Sequence, residues 1–261
     1  MTSITPSVTV PSTSLNGAFT PWNLANTELL PKSVDVKNSY PGVPKKVWIF
    51  DPVDYNTKKE RQTMVRQEYH DGVIAILQWI QKMKDSPKDH PIVITPSKAL
   101  EQASEVYPNP FMGENMNISF KAAGIVVMES PGIGKSPFLN YIWNLRCHLN
   151  LPTLYIPANS TSWAWKENKL FRVQLSSCET EDLDEFLPEN TWCLVDSNQQ
   201  VGDVPKKIYN TLRFIIQASL PRRDQLAWVS HAPFKVFYFA MQEWSDVEFI
   251  AGLIVPGAMT N

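Results

Sequence analysis

Apolar residues fall into two kinds of run along this chain. One kind repeats at helical steps: Val65, Tyr69, Val73, Ile76, Leu77, Ile80 and Met83 recur every three or four residues. That spacing predicts a helix over Lys58–Lys84, with Asp71-Gly72 as a place to bend or split. The other kind is short, continuous and bounded by turn formers, as expected of strands. Val47–Phe50, closed by Asp51-Pro52, is one example, and Pro91–Thr95 is a second. Thr95-Pro96 then predicts an N-cap with proline at the first helical position, and a helix to about Tyr107.

From Gly124 onward the two patterns alternate. Strands are predicted at Gly124–Met128, Thr153–Ile156, Leu170–Leu175, Trp192–Val195, Phe214–Ile216 and Val236–Met241. Between them lie a helix over Phe138–Leu149, a solvated turn or short helix over Glu179–Glu185, and a short helix over Pro221–Val229. Ser245 can cap a last helix starting near Asp246. Near-continuous apolar strands separated by helices imply a parallel sheet covered on both faces. Residues 1–44 differ: six prolines, many Ser, Thr and Asn, and little periodicity predict a mostly irregular arm, with Trp22, Leu24, Leu29 and Leu30 available to dock.

The stretch that organises the chain is Met128-Glu129-Ser130-Pro131-Gly132-Ile133-Gly134-Lys135-Ser136. Strand, glycine loop, Lys-Ser and helix are the parts of a phosphate-binding P-loop. Such a loop turns backbone N–H groups toward phosphate, and the helix N-terminus adds partial positive charge. Ser130 to Pro137 would form the cradle, with Lys135 reaching the β- and γ-phosphates and Ser136 ligating Mg²⁺. Glu129 stands where the full pattern has glycine, and is expected to face solvent. Pro137 suits a first helical turn but removes a backbone donor.

A P-loop needs an acidic residue at a strand tip for the Mg²⁺ shell. Asp196, after Trp192–Val195 and about sixty residues beyond the loop, is the candidate, so Ser136 and Asp196 form the expected metal pair. Ser197 follows, where many ATPases place a base-forming Glu, which favours binding over hydrolysis. Ser219, beyond the next strand, could sense the γ-phosphate, with Gln217 as competitor. Arg222 and Arg223 could stabilise transferring charge in cis or across an interface, or simply be solvated.

The composition narrows the rest. A formal charge of -2 and 43% apolar residues describe an ordinary globular chain, with no basic excess to indicate nucleic acid. Cys147, Cys178 and Cys193 are odd in number and lack metal spacing, so reduced structural thiols in an intracellular setting are expected. The four histidines are scattered. No secretory signal layout or membrane-length apolar run is seen.

Ser130–Leu139 and Leu194-Val195-Asp196-Ser197-Asn198 resemble the NTPase module of the Crinkler and retrotransposon-hot-spot (RHS) protein group. So do Ser219-Leu220-Pro221-Arg222-Arg223 with Trp228, and Trp244-Ser245 with Glu248 and Ala251-Gly252. The resemblance spans roughly Gly124–Gly252. It implies an AAA-like or STAND-like ATPase module, often joined to further domains with effector or toxin roles. Little chain follows the last predicted helix, so neither a lid nor an effector domain is expected in it.

The expected fold class is α/β: a three-layer P-loop NTPase domain with a mainly parallel sheet over 110–261. A mixed α/β accessory region over 46–109 and an irregular N-terminal arm over 1–45 precede it. The expected activity is Mg²⁺-dependent ATP binding, compatible with slow hydrolysis and with a protein partner or homo-oligomer. ATP is preferred to GTP because no Asn-Lys-x-Asp guanine-reading tetrad occurs. Two alternatives stay open: a small P-loop kinase transferring the γ-phosphoryl group, and a non-enzymatic interaction module with a degenerate site. Among the predicted site residues Lys135, Asp196, Ser219 and Arg222 would carry any catalysis.

Overall fold

The computed structural model describes residues 18–22, 29–35, 46–50, 62–85, 91–95, 107–113, 123–128, 130–157, 161–197 and 202–254. In chain order the elements are β1 (Phe19–Trp22), β2 (Lys32–Asp35), β3 (Lys46–Phe50), β4 (Thr63–Met64) and α1 (Gln67–Asp85). Next come β5 (Ala123–Met128), α2 (Lys135–His148), β6 (Thr153–Ile156), β7 (Ser162–Lys166) and β8 (Lys169–Val173). The rest are α3 (Thr180–Phe186), β9 (Trp192–Asp196), α4 (Lys206–Tyr209), β10 (Phe214–Ala218), α5 (Ala227–His231), β11 (Lys235–Ala240) and α6 (Asp246–Ile254).

The protein is α/β, built on an eight-stranded sheet of order β1-β8-β7-β6-β9-β10-β5-β11. The five strands from β6 to β11 are parallel, and β7, β8 and β1 extend the sheet antiparallel. Side-chain alternation divides the strands between two apolar clusters. Ile125, Val127, Leu194, Phe214 and Ile216 pack with α1 and α2. Val126, Cys193, Val195 and Ile215 pack with Leu183 of α3, Ile208 of α4 and Trp228 of α5. Helices therefore cover both faces of the parallel half, which explains why its strands are apolar throughout.

A second, three-stranded antiparallel sheet runs β2-β3-β4. Trp48 and Phe50 of β3 enter the same cluster as Ile125 and Leu139. Trp48, Phe50, the buried face of α1 and Tyr107 thus share one core with the loop-bearing sheet.

Several sequence expectations are corrected. Within 1–45, Phe19–Trp22 and Lys32–Asp35 are strands, because each finds a pairing partner: β1 lies on the distant β8, and β2 on β3, the next strand in the chain. The first long helix begins at Gln67, not Lys58, since Thr63–Met64 pair with β3; residues 51–61 lie outside the described set. Helix α1 runs unbroken through Asp71-Gly72. Pro91–Thr95 is not a strand; Ile92 and Ile94 lie on the core while Val93 is exposed. The helix expected over 96–107 falls mostly outside the described residues, and Tyr107 itself is not helical. Pro221–Val229 resolves into a 3-10 turn at Arg223–Gln225 followed by α5.

The sheet is mainly parallel, as expected, and its antiparallel flank begins at Ser162–Lys166, a further strand joined to β8 by a tight hairpin. Glu167 and Asn168 both take positive φ, 53° and 59°, as a type I′ turn requires. The last helix starts as expected: Ser245 Oγ accepts from Glu248 N at 3.3 Å, and Glu248 Oε2 accepts from Ser245 N at 3.0 Å. No helix among the described residues is long and apolar enough to cross a membrane. The three cysteines are buried and unpaired.

Candidate functional site

The carboxyl ends of β5, β9 and β10 finish level with one another, with Ala218 paired to both Val127 and Asp196. Chain order reverses at this point. The strand that follows α2 is β6, three places from β5, whereas β10 and β11 return to flank β5. Crevices at such switch points are where open α/β sheets take ligands.

The turn from β5 into α2 depends on two glycines with left-handed backbone, Gly132 at φ 84° and Gly134 at φ 96°. Gly134 is constrained twice over, because a Cβ there would lie 2.1 Å from the Tyr69 hydroxyl. A Cβ on Gly132 would meet nothing within 4 Å. Gly134 is the N-cap and offers no side chain to its own helix. The first helical bond runs from Phe138 N to Gly134 O at 2.9 Å. Pro137, one residue earlier, has no N–H to give Ile133 O, which accepts instead from Arg66 Nη1 at 2.7 Å. The Ile133 side chain is buried in the core beneath the loop.

Lys135 and Ser136 open α2. Lys135 Nζ donates to Ser130 O at 2.9 Å, across the loop. Ser136 Oγ donates to Asp196 Oδ1 at 3.0 Å. Asp196 closes β9 and is buried, and burial pushes its carboxyl up to about 6 from the ordinary 3.8; the Ser136 hydrogen bond and the Lys135 charge oppose that rise. A hydroxyl and a carboxylate side by side are hard oxygen donors of the kind Mg²⁺ accepts. Among the described residues no group of three or more His, Cys, Asp or Glu side chains is placed to hold a metal.

The other predicted site residues are arranged differently. Ser219 Oγ lies 2.7 Å from Leu220 O and 3.1 Å from Gln225 Oε1, both acceptors for its proton. Gln217 Nε2 donates to Ser197 Oγ at 2.7 Å and to Gln225 O at 2.8 Å, while its Oε1 accepts from Trp228 Nε1 at 2.7 Å. Ser197, Gln217, Ser219, Gln225 and Trp228 are all buried. They form one satisfied polar network, and among the described residues it has no hydrogen bond to the Ser136–Asp196 pair. Arg222 is exposed, with no hydrogen bond to the loop. Glu129 lies outside the described residues, as does the Arg223 side chain.

Behind the loop is a residue that sequence patterning did not single out. Arg66 is 1% exposed. Besides Ile133 O, it donates to Glu248 at 3.3–3.4 Å, to Glu68 Oε2 at 3.2 Å, and to the carbonyls of Gln242 and Glu243 at 3.2 and 3.1 Å. Its guanidinium stacks on Trp244 at 4.8 Å. Trp244 Nε1 donates to Gly132 O at 3.3 Å. An arginine just before an apolar helical stripe reads locally as a solvated helix start. Its partners at 133 and at 242–248 leave no mark on the neighbouring sequence.

No protein-family model matches the chain, and no curated protein matches it in sequence.

Proposed function

We propose that this protein binds a Mg²⁺-nucleotide, ATP in preference to GTP, at the loop Ser130–Gly134 and the start of α2. In this reading the parallel half of the sheet with its two helical coats is a three-layer P-loop fold. The observation that carries the proposal is the 3.0 Å contact between Ser136 and Asp196. Two residues of the types that hold Mg²⁺ in P-loop NTPases meet where the amino end of α2 reaches the carboxyl end of β9, beside a loop with two left-handed glycines. The Crinkler/RHS-like assignment is part of the same proposal and rests on the quoted motifs.

The roles follow from the chemistry. The N–H groups of the loop and of the α2 N-terminus would donate to phosphate oxygens. The Lys135 ammonium would leave Ser130 O and turn to the β- and γ-phosphates. Ser136 and Asp196 would hold Mg²⁺, which neutralises charge on the β- and γ-oxygens when bound. Ser197 carries no carboxylate to activate water, and its oxygen already accepts from Gln217. That arrangement favours binding with slow hydrolysis, or an interaction module switched by nucleotide, over rapid turnover or γ-phosphoryl transfer to an acceptor.

Calorimetric titration with ATP, ADP and GTP, with and without Mg²⁺, tests the reading. ATP should bind, Mg²⁺ should tighten it, and GTP should bind more weakly. Absence of binding for every nucleotide would overturn it. Incubation with γ-labelled ATP then distinguishes free phosphate, a labelled acceptor and unreacted nucleotide.

A further inference from the structure

We infer that Arg66 and Trp244 set the peptide planes of the phosphate loop from behind, so that nucleotide affinity is governed by how α6 is seated. The inference rests on the nucleotide-binding reading above and extends it to the control of the same site.

In a trans peptide the C=O of one residue and the N–H of the next point in opposite directions, and none of the described peptides is cis. Gly132 C=O is held by Trp244 Nε1, and Ile133 C=O by Arg66 Nη1. The N–H groups of Ile133 and Gly134 are therefore aimed away from Arg66 and Trp244. These are successive donors at the glycine turn, where a phosphate cradle needs its N–H groups fixed in advance. The Cβ-sized space beside Gly132 is open. Pro137 completes the device: with no N–H of its own, it leaves Ile133 O to the arginine. A residue that looks like a defect in a P-loop helix is what couples the loop to the rest of the molecule.

The other end of the coupling is the segment after β11. Arg66 is held by Glu248, in the first turn of α6, and by the carbonyls of Gln242 and Glu243; Glu68 Oε1 accepts from Gln242 N at 2.6 Å. Trp244 stacks on the same guanidinium. A shift of α6 would thus move the donors on both loop carbonyls together. The outer side of α6 bears exposed Val247, Phe249 and Leu253.

The test uses the full chain and Trp244→Phe, which keeps an aromatic ring beside Arg66 and removes only the N–H donor. Arg66→Lys is the second variant, retaining charge but not the fork. Mg²⁺-ATP affinity and the amide NMR positions of Ile133 and Gly134 are measured well below each melting temperature. Trp244→Phe should weaken Mg²⁺-ATP binding about fivefold or more and move the Ile133 amide before nucleotide is added. Arg66→Lys should do the same at Gly134. A purely structural role would lower the melting temperature while leaving affinity within twofold and those amides in place, and that result would overturn the inference with nucleotide binding intact. Failure of the unaltered protein to bind ATP would overturn both.

Discussion

Ser136 and Asp196 stand 60 positions apart in sequence and are joined by a hydroxyl-to-carboxylate hydrogen bond of 3.0 Å. The bond gives Asp196 one partner for a charge that its buried position disfavours. Asp196→Asn should therefore separate two effects. The folded carboxyl holds its proton up to about pH 6, whereas an unfolded one releases it near 3.8. Stability from this group is complete below the lower value and is lost as pH rises through the higher one. Free of nucleotide, the variant should be more stable than the parent at pH 8, by on the order of 2–3 kcal/mol, and about equal at pH 4. Thermal melts at the two pH values check the sign. In the same variant Mg²⁺ should no longer tighten ATP binding, while metal-free affinity changes little.

Lys135→Ala should weaken ATP binding by about tenfold or more, roughly 1.4 kcal/mol, because it removes the main side-chain charge on the terminal phosphates. The side chain is on the surface, across the loop mouth, and its loss should leave the melting temperature within about 2 °C. Unchanged affinity by titration would remove the basis for the nucleotide proposal.

The two loop glycines should respond differently to alanine. Both substitutions strain a left-handed residue, at about 1–2 kcal/mol. Only Gly134→Ala also drives a methyl group into the Tyr69 hydroxyl, adding roughly 1–3 kcal/mol. Adding Tyr69→Phe to Gly134→Ala should recover about 1 kcal/mol or more, and should recover nothing in Gly132→Ala. Denaturant melts of these four variants, of Tyr69→Phe alone and of the parent provide the cycle.

Gln217→Leu should cost about 2–3 kcal/mol by leaving the buried Trp228 indole N–H without an acceptor and Ser197 without its donor. Its effect on ATP affinity should stay under threefold, since its hydrogen bonds lie in the packing beneath α5. A larger loss of affinity would return Gln217 to the role of γ-phosphate sensor.

What could be read in advance depended on whether a residue's partners were near it in sequence. The Gly124–Met128 and Thr153–Ile156 strands and the Ser245 cap were legible because apolar runs and capping pairs are local signals. The glycine turn into α2 was legible because its residues are consecutive. The hairpin strand Ser162–Lys166 was missed because Glu-Asn is a less telling turn than Asn-Gly, and Trp-Ala-Trp gives no polar alternation. Phe19–Trp22 was missed because its pairing partner lies far along the chain, and Lys32–Asp35 because Lys-Ser-Val-Asp carries a single apolar residue. Ser219 was expected to face nucleotide by its place at a strand end, but Gln225, buried and silent in the sequence, takes its hydroxyl. Arg66 escaped notice for the same reason.

The arginine behind the loop also orders events in time. Arg66 and Glu248 are separated by 182 positions, so ribosomal synthesis places the first in the growing chain well before the second. At about 5–20 residues per second that interval is on the order of ten seconds or more. Until it has passed, β5, the glycine turn and α2 can form from residues already present, while Arg66 has only Glu68 of its two carboxylate partners. The long loop closure that brings α6 to it carries the entropy cost of a non-local contact and should fall late in folding. Competence to hold phosphate would then arrive with the last helix, and a nascent chain would be spared from binding nucleotide around an unfinished core.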